Sequence, residues 1–305
     1  MKNVPDFLEL VGDKEDFFRN HFGKGPHFRR GAIAKPEELL SVGDLEEIMR
    51  KCIVPAERIA IALNSQAVRC EAYSSPVSVG DGRSVHRVIP EKVSACFRGG
   101  ATVMWRHMHL FSSNLRRIRE IMAETLAARC DTYAFHTPPG FYGLPIHDDP
   151  DDVFALQLEG RKRWRIWQPQ GSPRLTGKMG YSSNEVEVLG EPVMDVILEP
   201  GDFLYIPRHA AHETQACDVE SLHATVAVRL EMWSQILLSI AERVMNESSK
   251  FTNLPLFAAG SPSCESGDLR TRVQELVALL DGLDFQKEFE QMVAEGKNAK
   301  PISGW

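Results

Sequence analysis

The sequence lacks most of the features that would assign it quickly to a class. Its six cysteines, Cys52, Cys70, Cys96, Cys130, Cys217 and Cys264, lie far apart, and none forms a CxxC pair. That argues against a zinc ribbon and a disulfide framework, and suits reduced thiols in a cytoplasmic protein. No stretch approaches the roughly 18 apolar residues that would span a bilayer, so no membrane association is expected. The opening MKNVPDFLELVGDKEDF carries acidic residues and no long apolar run, unlike a signal peptide. Basic residues are outnumbered 35 to 42, for a net charge of -7. A general attraction to polyanions is thereby excluded, and no direct nucleic-acid binding is expected. Internal repeats and low-complexity segments are also missing.

What remains is a chain of 305 residues, 43% hydrophobic and 25% charged. Those values suit one large folded domain with a smaller one, not a disordered chain. Residues 5–22 and 35–51 space their apolar side chains as short amphipathic helices do, the last beginning near Ser41 or Gly43–Asp44 with Asp44 as its cap. Residues 53–90 read as strands and loops. The clearest helix spans 111–129, capped by Ser112 or Ser113, with Leu115, Ile118, Ile121, Met122 and Leu126 on one stripe. From Thr132 to Leu230 short strands alternate with turns such as TPPG and EPGD, the pattern of an antiparallel barrel or sandwich and not of a parallel sheet. Helical spacing returns at Trp233, Ile236, Leu237, Ile240 and Val244, then a Gly/Pro/Ser-rich stretch at 251–267, then a helical hairpin over 268–298 broken near Asp281–Gly282. The division expected is one large domain over 1–230, with helical segments at its start, and a helical region over 231–305.

One stretch concentrates the chemistry. HDDPDDVFALQLEGRKRW runs from His147 to Trp164. In a strand, residues two apart share a face, so His147 and Asp149 project together while Asp148 turns away. An acidic turn in solvent would look similar. The segment LEPGDFLYIPRHAAHETQA at 198–216 supplies a tight turn, a strand and then His212. His147, Asp149 and His212 would make a two-histidine, one-carboxylate facial triad, the set that leaves positions open on iron(II) for oxygen activation. His209 and His223 compete for the third place, and His212 is preferred.

These segments, with GEPVMDVILEPGD, SLHATV and the opening PDFLELVGDKEDFFRNHFGKGPHFRRG, resemble the JmjC-type, cupin-like iron(II)/2-oxoglutarate oxygenases, nearest their ribosomal-oxygenase branch. The resemblance covers about residues 95–230. It implies a fold that is mainly β with helical flanks, a double-stranded β-helix (jelly-roll) core followed by an α-helical C-terminal region. It also implies Fe(II) held by His147, Asp149 and His212, with 2-oxoglutarate and O2 filling the remaining positions.

By the same resemblance, Lys162 pairs with the far carboxylate of 2-oxoglutarate. Local physics agrees, because alternation along Arg161–Ile166 turns the three arginines out and Lys162, Trp164 and Ile166 in. A lysine inside a barrel is costly without an anion; the alternative is a wholly solvated basic edge. Thr225 and His223 share a strand face near the expected pocket. Tyr133 is a further candidate 2-oxoglutarate contact: where relatives carry an Asn and a Tyr two apart, this chain has Tyr133 and Phe135, and Ala227 replaces a polar residue of some relatives. Gln157 and Asp152 read as structural. Trp105, His107 and His109 either line the substrate mouth or belong to the core.

The implied reaction couples decarboxylation of 2-oxoglutarate to hydroxylation of an amino-acid side chain in a peptide or protein. A free small molecule is the alternative substrate, and a non-oxygenase metal cupin (isomerase or hydrolase) the alternative chemistry. The branch usually continues into a winged helix after its helical region. This sequence reaches Trp305 without one, which leaves a small peptide or metabolite open. The helices at 231–305 are expected to mediate a homodimer.

Overall fold

A computed structural model describes residues 4–63, 66–169, 178–251, 266–288 and 290–291. They fall into two compact units, parted between Arg229 and Leu230.

The first unit is built on two sheets. The larger runs, in spatial order, through His27–Arg29, Phe203–Ile206, Asp152–Glu159, Ser221–Arg229, Arg129–Thr137, Thr102–Arg106, Ile59–Leu63 and Gln66–Ala67. The smaller runs through Lys178–Met179, His147–Asp148, His212–Ala216, Lys162–Ile166 and Met194–Leu198. Every pairing within them is antiparallel, as the short strands and Gly/Pro turns predict. The two sheets form the jelly roll. Val153, Ala155, Leu204 and Ile206 of the larger sheet pack against Trp164, Ile166 and Leu198 of the smaller. Burying those apolar faces is the main stabilising term of the domain. The central strands are buried on both faces because helices and the N-terminal segment cover the outside. Phe7 and Phe17, for instance, pack their rings against Phe154, and Phe17 meets Tyr205 edge-on at 5.0 Å.

The helices follow local chemistry. Ser112 caps Ser113–Leu126 by accepting from the Leu115 amide, and Leu115, Ile118 and Met122 are its buried stripe. For the helix Val42–Lys51 the cap is Ser41 and not Asp44 as expected, because Asp44 stands at the third helical position and closes a capping box instead. Residues 5–22 are broken into Phe7–Val11, Lys14–Asp16 and a π-helical turn Phe17–His21. Within the region read as strands and loops, 53–90, stand the strands Ile59–Leu63, Ser74–Gly80 and Arg83–Val88. A helix the periodicity did not reveal, Pro90–Arg98, follows with proline at its first position.

In the second unit, Trp233–Glu247 buries Ile236, Ile240 and Val244 against Leu276, Leu279, Leu280 and Leu283. The second helix, Ser266–Asp281, ends where the break near Asp281–Gly282 is expected, and helical residues resume at Phe285. The Gly/Pro/Ser-rich stretch and the end of the hairpin lie largely outside the described residues. No described helix is long and apolar enough to cross a membrane.

Candidate metal centre

His147 and His212 face each other across two strands of the smaller sheet, in direct register. Their ring centroids are 4.2 Å apart. Each ring is oriented by the backbone: Nδ1 of His147 lies 2.7 Å from the Pro145 carbonyl, and Nδ1 of His212 lies 3.0 Å from that of Ala210. A carbonyl only accepts, so the proton sits on Nδ1 and the lone pair of Nε2 is turned inward. Those Nε2 atoms point at Asp149, 3.9 and 3.8 Å from its two oxygens. Ligand atoms of all three residues lie within 4.8 Å of one another.

His147 and His212 are buried, and the Asp149 side chain is 13% exposed. Burial pushes the Asp149 carboxyl up to about 6 and the His212 imidazole down to about 4, and lowers His147 as well. Asp149 Oδ1 is shut off from solvent and has no hydrogen-bond partner. An orphaned carboxylate oxygen facing two inward lone pairs is a donor set short of a cation.

The competing histidines are engaged elsewhere. His209 takes a left-handed backbone (φ 61), uncommon for a non-glycine residue. That turn lets its amide donate to the Asp149 carbonyl at 2.8 Å and brings Nδ1 to 3.2 Å from Asp148 Oδ1. His209 therefore positions the acidic turn. Asp148 does face away from the cluster, but into protein and not solvent: it is fully buried and also takes the Tyr181 hydroxyl. Asp151 holds Arg229 through two bonds of 2.6 and 3.0 Å, and Asp152 accepts from Tyr205.

The strand Lys162–Ile166 alternates as its sequence predicts. Lys162, Trp164 and Ile166 are buried, while Arg163 is exposed and pairs with Asp195. Arg161 pairs with Asp218, and Arg165 with Glu213. Lys162 has no exposed surface at all. Its Nζ donates to Thr137 Oγ1 at 2.9 Å and lies 3.3 Å from His223 Nδ1, with no carboxylate among its partners. Burial alone pulls its pKa down to about 7. His223 is flattened against Phe135 at 4.8 Å, and burial first, then Lys162, holds it neutral. Lys162, His223, Thr225 and the three triad residues line one cavity of about 390 Å³, its mouth included.

Thr137, Gly143 and Thr214 complete that cavity's surroundings. A Cβ on Gly143 would collide with the Thr214 hydroxyl and sit 3.7 Å from Lys162 Nζ. The glycine thus keeps space open beside the ammonium. Period-two spacing could have found two of these residues: Thr137 follows Tyr133 and Phe135, and Thr214 follows His212.

Tyr133 stands apart from Lys162. It lines a second, adjoining cavity of about 1030 Å³, mouth included, which shares His147, Asp149, Phe135 and Thr225 with the first. The strand Thr102–Arg106 turns Thr102, Met104 and Arg106 into this space. Trp105 is core, and His107 and His109 aim Nδ1 at the buried Asp131, 2.5 and 3.3 Å away. They do not line the mouth.

A jelly roll with a buried two-histidine, one-carboxylate cluster beside a buried lysine defines the class: a cupin-like metalloprotein site. The JmjC domain family model matches residues 104–236, and the curated proteins that the chain resembles are ribosomal oxygenases. Among curated proteins it is 29% identical over 216 residues to ribosomal oxygenase 1 of Gallus gallus, covering 70% of this chain and 34% of that protein. It is 32% identical over 161 residues to the bifunctional lysine-specific demethylase and histidyl-hydroxylase NO66 of Dictyostelium discoideum, covering 52% of this chain and 31% of that one. The chain thus spans about a third of the length of these relatives. Among solved structures, the Escherichia coli ribosomal oxygenase YcfD in complex with cobalt and 2-oxoglutarate superposes with a TM-score of 0.60 at 18% identity. That match covers 93% of this chain and 71% of the other.

Proposed function

We propose that this chain is an Fe(II)- and 2-oxoglutarate-dependent oxygenase that hydroxylates an amino-acid side chain of a peptide or protein. One observation carries the reading: the His147–Asp149–His212 cluster opens on the same cavity as a wholly buried lysine without an anion. Iron and 2-oxoglutarate, when bound, would supply activated O2 at the cost of decarboxylating the cosubstrate to succinate.

The chain's own residues have separable tasks. His147 and His212 offer Nε2, and Asp149 offers its carboxylate. Lys162 receives the far carboxylate of 2-oxoglutarate, flanked by Thr137, His223 and Thr225. Trp164 and Phe135 wall the pocket against water. Tyr133 faces the neighbouring space and belongs to the substrate side. Lys162 favours this reading over a metal cupin isomerase or hydrolase, whose chemistry needs no buried cation there. The relatives, by name a histidyl-hydroxylase and ribosomal oxygenases, support a protein side chain as substrate.

The finer proposals are a cytoplasmic location, no nucleic-acid contact and a homodimer. Trp233, Leu237 and Leu238 support the last. They lie on the helix Trp233–Glu247 and are 74, 55 and 69% exposed.

The test is anaerobic addition of Fe(II) and 2-oxoglutarate to the full chain. A weak visible metal-to-ligand charge-transfer band is expected, and Asp149→Ala should lose both the band and succinate production. A well-folded, iron-loaded protein without that band would refute the oxygenase.

A further inference from the structure

The second cavity contains a cation that the oxygenase reading does not use. Arg106 sits at the end of Thr102–Arg106, a strand whose exposure alternates so that Val103 and Trp105 are core and Met104 and Arg106 are half-buried. Antiparallel pairing sets Arg106 directly opposite Tyr133, and Met104 opposite Phe135. Residues opposite one another share a face, so the guanidinium and the phenol enter the cavity side by side. Arg106 has no ion pair or hydrogen bond within the described residues, and its Nε is shut off from solvent without an acceptor.

The other charges of this cavity are already committed. Asp151 is held by Arg229, and Asp149 faces the two histidines. Elsewhere the wall is apolar, with Ile61, Met104, Leu144 and Val153 among its residues. A guanidinium nitrogen shut off from water is costly until it meets an acceptor, and a carboxylate fits two of the planar donors at once.

We infer that Arg106 is the specificity-determining residue of the substrate cavity, and that the substrate presents a carboxylate to it beside the triad. This rests on the oxygenase reading for the fate of the substrate, but not for its binding. The shared chemistry is a carboxylate, from an Asp or Glu side chain or from the free end of a peptide. Arg106 fixes one end of the substrate, and the apolar wall accepts the aliphatic part that reaches toward His147 and Asp149. The hydroxyl of Tyr133 adds a neutral donor to the same anion.

Binding of three probes to the full chain, with saturating 2-oxoglutarate, tests this by titration calorimetry: N-acetylglutamate N-methylamide, its glutamine counterpart, and N-acetylalanine. At least one carboxylate probe should bind about tenfold more tightly than the neutral glutamine probe, and which one it is distinguishes a side chain from a chain end. Arg106→Gln should shrink the difference to within about twofold, and Arg106→Lys should keep part of it. Equal binding of acidic and neutral probes, no saturable binding of any, or discrimination that survives in a folded Arg106→Gln protein would overturn the inference. Because probe binding needs no iron chemistry, an inactive wild-type protein that still discriminates would count against the oxygenase alone.

Discussion

Lys162 carries a pH signature. Its folded pKa is drawn from 10.5 to about 7 by burial, so between those values the unfolded chain binds the proton and the folded one does not. This group's cost to the folded state is full below about pH 7 and fades as pH rises toward 10.5. A dicarboxylate at its side stabilises the ammonium. Above about pH 7, binding must take up a proton, and 2-oxoglutarate affinity should fall by as much as about tenfold per pH unit. Anaerobic titrations at about pH 6.5, 7.5 and 8.5 read this directly; affinity flat across that range would remove Lys162 from the role. Asp148 makes the contrasting case. It lies outside the proposed ligand set, yet it is fully buried against His209 and Tyr181. Asp148→Ala should retain the charge-transfer band at saturating Fe(II) while lowering stability by about 1–3 kcal/mol in urea unfolding.

Strands are where alternation turns a string of charges into a site. In Arg161–Ile166 one period-two rule sorts solvent-facing arginines from an inward lysine, and the turn before it makes the register possible. Gly160 in that turn has φ +64, and a Cβ there would run into the Glu220 carbonyl oxygen. Gly160→Ala should cost about 2–3 kcal/mol and weaken 2-oxoglutarate binding, because Lys162 lies two residues on. A normal denaturation midpoint with normal affinity would disprove that link. Alternation alone could not say which face of 102–109 meets the cavity. Trp105, His107 and His109 make the more conspicuous set, but the strand ends at Arg106. His107 then turns left-handed (φ 57) toward Asp131, a residue some two dozen positions away.

At the level of the whole chain, the helical unit carries the prediction of assembly. Its buried stripe of Ile236, Ile240 and Val244 is covered within the unit, while Trp233, Leu237 and Leu238 are left exposed. A homodimer through these helices should give twice the mass of 34.2 kDa in sedimentation equilibrium, and Trp233→Glu with Leu238→Glu should halve it. A wild-type protein of single mass would end the proposal.

The linear chain by itself determined the antiparallel strands, the capped helix at 113–126, the pairing of His147 with Asp149 and the inward turn of Lys162. Each of these depends on neighbours within a few residues, where helical and strand periods and capping chemistry act. The sequence preferred His212 over His209, and the tertiary structure added the reason, one left-handed residue at His209 and the strand register of His212 with His147. Only the tertiary structure set Tyr133 on a different cavity from Lys162, buried Asp148, and brought Arg106, without a partner among the described residues, to the wall opposite Tyr133. These are outcomes of which strands lie side by side, and packing between distant segments does not show in local spacing.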